Sequence, residues 1–396
     1  MQVFVFDLVP YAKHFDQLKV GGRLPFPMVK QHFEPQVAVQ TYREHLDAWV
    51  EMERLGYDGV AFNEHHATPY GLMNSPNLLA ASAAQRTKRL KLLMYGNLLP
   101  LHDPLRLAEE IAMLDCLSDG RIVCGVARGA PREYRILNVP LDESRARFDE
   151  CFEVMRRAWT EESFSFQGRF HSYKDVAPWP RPVQQPYPPI WIPITGSKDS
   201  IEWAAANDAC ITPGIGGPAR EDTIRYYAAS LAKRGKRVTP GHLNIMVEAY
   251  VADSKQQAIE EYGPYALYFH TLFNYDHVPM STVGGYFQKT AADYLRPELR
   301  ATAHDDSMRL RETTMDDIVK QAEMNAWGSA DEVARRIIAE AEQAGAGTVL
   351  VNMNRGALPQ DLFLKQIHRF GREVLPRLQS HAITRVPFAE ASAAGA

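Results

Sequence analysis

The strongest constraint on this chain is a rhythm. Short apolar runs alternate with amphipathic helical stretches along most of its length. Val3 to Leu8, Gly59 to Phe62, Leu90 to Leu99, Ile122 to Val126, Ile190 to Ile194, Ala209 to Thr212, Asn244 to Val251 and Thr348 to Asn352 read as strands. Between them, helices are expected at Thr41 to Leu55, Asn77 to Arg86, from Asp103-Pro104 to Ser118, Arg145 to Trp159, Ser200 to Asn207, Ser329 to Gly345 and Asp361 to about Leu378. Several carry their own punctuation. Asp103-Pro104 is an N-cap with proline in the first turn, Ser329-x-x-Glu332 is a capping box, and Gly56 stops the first helix. Runs such as LKLLMY and TVLVNM are apolar throughout, which suits strands covered on both faces.

Alternating strands and helices build a parallel α/β sheet, and eight units close it into a (β/α)8 TIM barrel. An open doubly wound sheet is the rival. It would carry a glycine-rich dinucleotide turn after its first strand, and here that strand runs into LVPYAKHFD. The late cluster Gly214 to Pro218 reads as a turn. Residues 1–380 therefore form one barrel domain with insertions at the C-terminal face of the strands. Two segments break the rhythm: Tyr11 to Pro35, and an insertion over about 254–327 with Tyr262, Tyr265, Tyr268, Phe269, His270, Phe273, Tyr275, Tyr286 and Phe287. Those aromatics pack a small subdomain, and some of them line a substrate pocket and its lid. Phe164 to Pro189 is a proline-rich excursion, and 381–396 is a flexible tail.

The chain has 396 residues, 45% of them apolar, with a formal net charge of -4. The core is large, and nothing points to a nucleic-acid face or an anionic membrane surface. Lys233 to Arg237 is a short basic run, read as a solvated helix end. No apolar run is long enough to span a bilayer, and the first residues lack the features of a signal peptide. The four cysteines, Cys116, Cys124, Cys151 and Cys210, match no metal spacing and read as reduced core residues of a cytoplasmic protein, with Cys116, Cys124 and Cys210 among apolar neighbours.

Three places carry the polar groups. Asn63-Glu64-His65-His66 follows the second strand. Neighbouring residues on extended chain point to opposite sides, so His65 and His66 do not readily share an ion, and no metal site is expected. Glu64 could enter a buried network with an arginine, or one histidine could face a ligand in the barrel mouth. Arg128-Gly129 ends the fourth strand, where the arginine would meet either a phosphate or a rim carboxylate. Thr195-Gly196-Ser197-Lys198-Asp199-Ser200 leads from the fifth strand into a helix. A helix start with free amides is an anion site or merely a well-capped helix.

Taken together, Glu64-His65-His66, Tyr95 to Pro100 with His102-Asp103-Pro104, Leu114-Asp115-x-x-Ser118-x-Gly120-Arg121, Gly125-x-x-Arg128-Gly129 and Ser197 through Ala205 resemble, in order and spacing, the bacterial luciferase-like flavin-dependent monooxygenases. The resemblance runs from residue 1 to about Leu378. It implies reduced FMN delivered by a separate NAD(P)H:flavin reductase, and oxygenation of a small, apolar organic substrate by O2 through a C4a-peroxyflavin. It implies that His65 is catalytic beside Glu64, that Arg128 and Gly129 contact the flavin, and that Thr195, Gly196, Ser197 and Ser200 hold its phosphate. It also implies a cis bond at Tyr95-Gly96, with Asn97 facing the ring, and a homodimer paired through the second and third helices. Ala127 stands where light-emitting luciferase carries a reactive cysteine, so light emission is not implied. A deazaflavin-dependent oxidoreductase and a non-catalytic flavin-binding protein are the alternatives.

Overall fold

The computed structural model describes residues 1–11, 30, 33–69, 71–214, 218–281 and 313–388. Parallel strands β1 (Gln2–Asp7), β2 (Gly59–Phe62), β3 (Lys91–Leu98) and β4 (Ile122–Ala127) pair in sequence order. A hairpin, β5 (Phe164–Gln167) with β6 (Ser172–Val176), stands apart as its own two-stranded sheet. Strands β7 (Ile190–Ile194) and β8 (Cys210–Pro213) extend one side of the main sheet. Strands β9 (Asn244–Val251) and β11 (Thr348–Asn352) extend the other, with short β10 (Ala326–Gly328) beside β9. The two sides meet at one parallel bridge, Ile211 to Leu243. Asn244 reinforces that seam, donating from Nδ2 to the Ile211 carbonyl at 3.2 Å and accepting from Thr212 Oγ1 at 2.6 Å.

Alternation along the strands separates two cores. Phe4, Ala61, Leu93, Tyr95, Val123, Trp191, Cys210 and Leu350 point inward and fill the barrel. The residues between them point outward and pack under the helices. Helix α1 (Pro35–Leu55) shows how: Ala38, His45, Ala48, Trp49 and Met52 are buried, at helical spacing. Burying each large apolar side chain stabilises the fold by roughly 1.5–3 kcal/mol. Gly56, at φ 87°, ends α1 in the left-handed conformation that glycine adopts without a Cβ penalty. The other helices are α2 (Pro76–Arg86), α3 (Pro104–Ser118), α4 (Pro131–Ile136), α5 (Ser144–Thr160), α6 (Lys198–Ala206), α7 (Pro218–Ala232), α8 (Lys255–Ser281), α9 (Met315–Met324), α10 (Ala330–Ala344), α11 (Gln360–Glu373) and α12 (Leu375–Ser380). Asp103 accepts from Arg106 N at 3.0 Å, and the Ser329–Glu332 box forms at the head of α10.

The eight expected barrel strands are present, and several details differ. Helix α1 starts six residues before Thr41, because Pro35 fits the first turn. The excursion from Phe164 contains the β5–β6 hairpin. Strand β10 begins at the end of the stretch read as an insertion, and α8 opens that stretch as the helix after β9. The last expected helix is two helices, divided at Val374 ahead of Pro376. Cys116 is exposed, its Sγ donating to the Arg181 carbonyl; Cys124, Cys151 and Cys210 are buried and all four are unpaired. No helix is long and apolar enough to cross a membrane among the described residues. Most of Tyr11 to Pro35, the core of the Gly214 to Pro218 turn, Tyr286, Phe287 and 389–396 lie outside the described residues.

Candidate active site

In the sheet, β2, β3, β4 and β7 are consecutive neighbours. Glu64 and His65 follow β2, Tyr95, Gly96 and Asn97 end β3, Arg128 and Gly129 follow β4, and Thr195 to Ser200 follow β7. These residues therefore follow or end neighbouring strands, on one arc of the C-terminal rim.

Glu64 is buried at the start of that arc. Its Oε2 accepts from Leu98 N at 2.9 Å, its Oε1 from His66 Nε2 at 3.0 Å, and both oxygens lie about one hydrogen bond from His102 Nε2, at 2.9 and 3.0 Å. Burial alone would raise its pKa. The hydrogen bonds from His102 and His66 and the His102 charge outweigh burial and hold it at about 2. Burial pulls His102 down, and the bond and charge of Glu64 carry it above its ordinary value. The network expected with an arginine is thus built with two histidines. His102 is the residue the sequence reading passed over, although it sits in the quoted His102-Asp103-Pro104 run.

His65 turns the other way from His66, as extended chain requires. Its Nδ1 lies 3.3 Å from Oε1 of Glu133, a fully buried carboxylate on α4. Glu133 Oε2 accepts from Ala130 N at 3.0 Å, which fixes the carboxylate. Tyr134 Oη donates to the Arg128 carbonyl, so α4 is pinned to the loop after β4. Glu133 was not foreseen: it lies in a short, irregular stretch with no periodic signal. Among the described residues no group of three His, Cys, Asp or Glu is placed to hold a metal ion.

Strands β3 and β4 approach unusually closely. A Cβ on Gly125 would come within 2.0 Å of the Met94 carbonyl oxygen, and one on Gly96 within 3.0 Å of the Gly125 backbone. The ladder slips between Met94 and Asn97, and Tyr95-Gly96 is cis. Tyr95 crosses the barrel, its Oη bonded to Thr212 Oγ1 on β8. Asn97 is fully buried, and neither atom of its amide has a partner among the described residues. A buried amide without partners costs about 1–3 kcal/mol, so it marks a place where a polar ligand belongs.

Around the rest of the arc, Arg128 is half-buried, Thr195 is exposed, and Gly196 and Ser200 are buried. Gly196 takes φ 116° ahead of α6. Ser197 stands at the N-cap of α6, and its hydroxyl makes no capping bond. The first amides of α6 and the nearby Lys198 suit an anion. The unpartnered Asn97 amide, the cation at the end of β4 and this helix start fit a ligand with a hydrogen-bonding ring and a phosphate, as a flavin mononucleotide is.

A closed parallel α/β barrel with a polar C-terminal mouth has the framework on which barrel enzymes carry their active sites. The chain belongs to the luciferase-like monooxygenase family, whose model matches residues 26–348. It is 28% identical over 236 residues, 57% of this chain and 65% of the other, to the oxygenase component of a flavin-dependent trigonelline monooxygenase of Acinetobacter baylyi. The monooxygenase RslO1 from Streptomyces bottropensis superposes with a TM-score of 0.71 at 25% identity, over 95% of this chain and 99% of that one. The oxygenating constituent of 3,6-diketocamphane monooxygenase from Pseudomonas putida, solved with FMN, superposes with a TM-score of 0.70 at 19% identity, over 95% and 98%.

Proposed function

We propose that this protein is the oxygenase of a two-component system, taking reduced FMN from a separate NAD(P)H:flavin reductase and using O2 to oxygenate a small, largely apolar substrate. The observation that carries the reading is the buried, unpartnered Asn97 amide beside the β3–β4 close approach. Membership of the luciferase-like family supports it, as does the similarity to the oxygenase component of a flavin-dependent system. Asn97, with Tyr95 and Gly96, would bed the ring. Arg128 and Gly129 would meet its edge, and Thr195, Gly196, Ser197 and Ser200 would hold the phosphate at the head of α6. The bound flavin supplies the electrons that activate O2.

The chain's own residues do the rest. Glu133 would keep the proton of His65 on Nδ1, which leaves Nε2 as the hydrogen-bonding atom toward the mouth. His65 would then orient or deprotonate the substrate. Glu64 would work through its bonds to Leu98 N and His102, holding the end of β2 against β3. Helix α8 and the apolar residues over the mouth would exclude water, which otherwise wastes reducing equivalents as hydrogen peroxide. Two copies would pair through α2 and α3, which leave Leu78, Met113 and Leu117 exposed, and the protein would work in the cytoplasm.

The test is anaerobic titration with reduced FMN, followed by oxygen and a substrate panel, with incorporation of labelled oxygen as the readout. Tight binding and labelled product support the reading. No binding of FMN, or binding of a deazaflavin in its place, overturns it. His65→Ala should bind FMN within about twofold of the unmutated protein and form product roughly a hundredfold more slowly. Unchanged product yield would remove His65 from the chemistry.

A further inference from the structure

On the far side of β1 from His65, the mouth holds a second set of charges that the flavin reading does not use. Glu248 lies on β9, in register with Asn352, the last residue of β11. It shares a strand face with Met246, which packs on the barrel interior, and with Asn244, which bonds Cys210 there. Its carboxylate is therefore buried just inside the rim. Arg355, three residues beyond β11, donates from Nη1 to Glu248 Oε2 at 3.1 Å. Its guanidinium lies over the Phe269 ring, 4.9 Å from the centroid. The backbone fixes this position. Arg355 N donates to Tyr262 Oη at 3.4 Å, and a Cβ on Gly356 would come within 1.8 Å of the Tyr265 carbonyl oxygen of α8.

Glu248 already cancels the charge of this guanidinium, yet Arg355 Nε is buried with no acceptor among the described residues. His270 Nε2, on the same helix as Phe269, is also buried without a partner among the described residues. Burial and the Arg355 charge push that imidazole down to about 4, against a hydrogen bond with Gln321, so it is neutral near pH 7. Glu248 Oε1 and Asn352 Nδ2 are likewise buried without partners among the described residues, and from Arg355 toward β1 the lining is apolar. Phe269 clusters with Leu8 and Tyr11, Phe6 packs against that cluster, and Phe6 meets Tyr95 edge-on at 6.1 Å. A hydrocarbon wall thus runs from Tyr95 to Arg355.

We propose that Arg355 receives an uncharged oxygen acceptor, a carbonyl or hydroxyl, on a substrate whose hydrocarbon body lies along Phe6, Leu8 and Phe269. A guanidinium that is already paired can donate a hydrogen bond without requiring a counter-ion. A substrate carboxylate would instead have to share that one cation with Glu248, leaving a buried excess of negative charge. The inference names the substrate class for the flavin site proposed above and rests on that reading.

The test uses the full-length protein loaded with FMN, titrated with 2-decanone, decane and decanoate, and with 4-tert-butylcyclohexanone and its parent hydrocarbon, by flavin difference spectra. Each ketone is expected to bind at least tenfold more tightly than its hydrocarbon, and more tightly than decanoate. Arg355→Met should abolish that preference while FMN affinity stays within twofold. Glu248→Gln, which frees the cation, should shift preference toward decanoate, and it provides an independent check if Arg355→Met does not fold. Equal binding of ketone and hydrocarbon, no binding of any ketone, tighter binding of decanoate, or a preference that survives Arg355→Met would overturn the inference. Failure of the unmutated protein to bind FMN would instead overturn the reading of the mouth beneath it.

Discussion

Single residues set the terms of the site through what they leave no room for. Gly125 is the sharpest case, since any side chain there would strike the Met94 carbonyl. Gly125→Ala should destabilise the protein by about 3 kcal/mol, read as a lower midpoint in urea unfolding with an unchanged slope. Glu133 bears on the site differently, through its contact with His65 Nδ1. Glu133→Gln keeps the shape but offers His65 Nδ1 a group that can donate as well as accept. Product formation should fall roughly a hundredfold, with flavin affinity and melting temperature nearly unchanged. Retention of full activity would leave the Glu133 contact a packing feature only. Asp7 is a counter-example. Its Oδ2 accepts from His45 at 2.6 Å and from Trp49 at 2.9 Å, wholly between β1 and α1. That arrangement locks a helix to a strand, and no opening toward the mouth is needed to explain it.

At the scale of elements, Glu64 joins the end of β2 to β3 through Leu98 and to the head of α3 through His102. Its folded pKa of about 2 lies below the ordinary 4.5, so the contribution is full above about pH 4.5 and is lost as pH falls toward 2. Glu64→Gln should flatten that limb of the stability-versus-pH curve, an effect of about 3 kcal/mol in the unmutated protein. An unchanged acid limb in thermal melts from pH 6 to 2 would show that the network carries no such linkage. Elements were also where the sequence was most legible. Strands covered on both faces give continuous apolar runs, and Asp103, Ser329 and Gly56 mark helix ends by local chemistry. The hairpin β5–β6, short β10 and α4 carry no such periodicity, because their places are set by the elements they pack against. Glu133 was hidden for that reason. Arg128 and Glu64 could be named because each follows a strand end, where the barrel assembles its mouth, whereas Asn97, inside β3, was named only through the family resemblance.

For the whole molecule, the exposed apolar side chains on α2 and α3 bear on assembly. Leu78 is 72% exposed and Met113 51%, unusual for residues of their kind on adjoining helices. Leu78→Asp combined with Met113→Asp should convert a dimer into a monomer in light scattering, with the fold intact by circular dichroism. A monomeric unmutated protein would refute the proposed pairing. A last consequence lies in the way the barrel closes. Between β8 and β9 the backbone supplies one rung, and side chains of Thr212 and Asn244 supply the fastening. Seven of the joints are laced by backbone ladders, and the eighth is a row of buttons. Tyr95 is tied to the buttoned edge through Thr212. Thr212 thus belongs to both the eighth joint and the end of β3, so a substitution there is felt at the seam and at Tyr95 together.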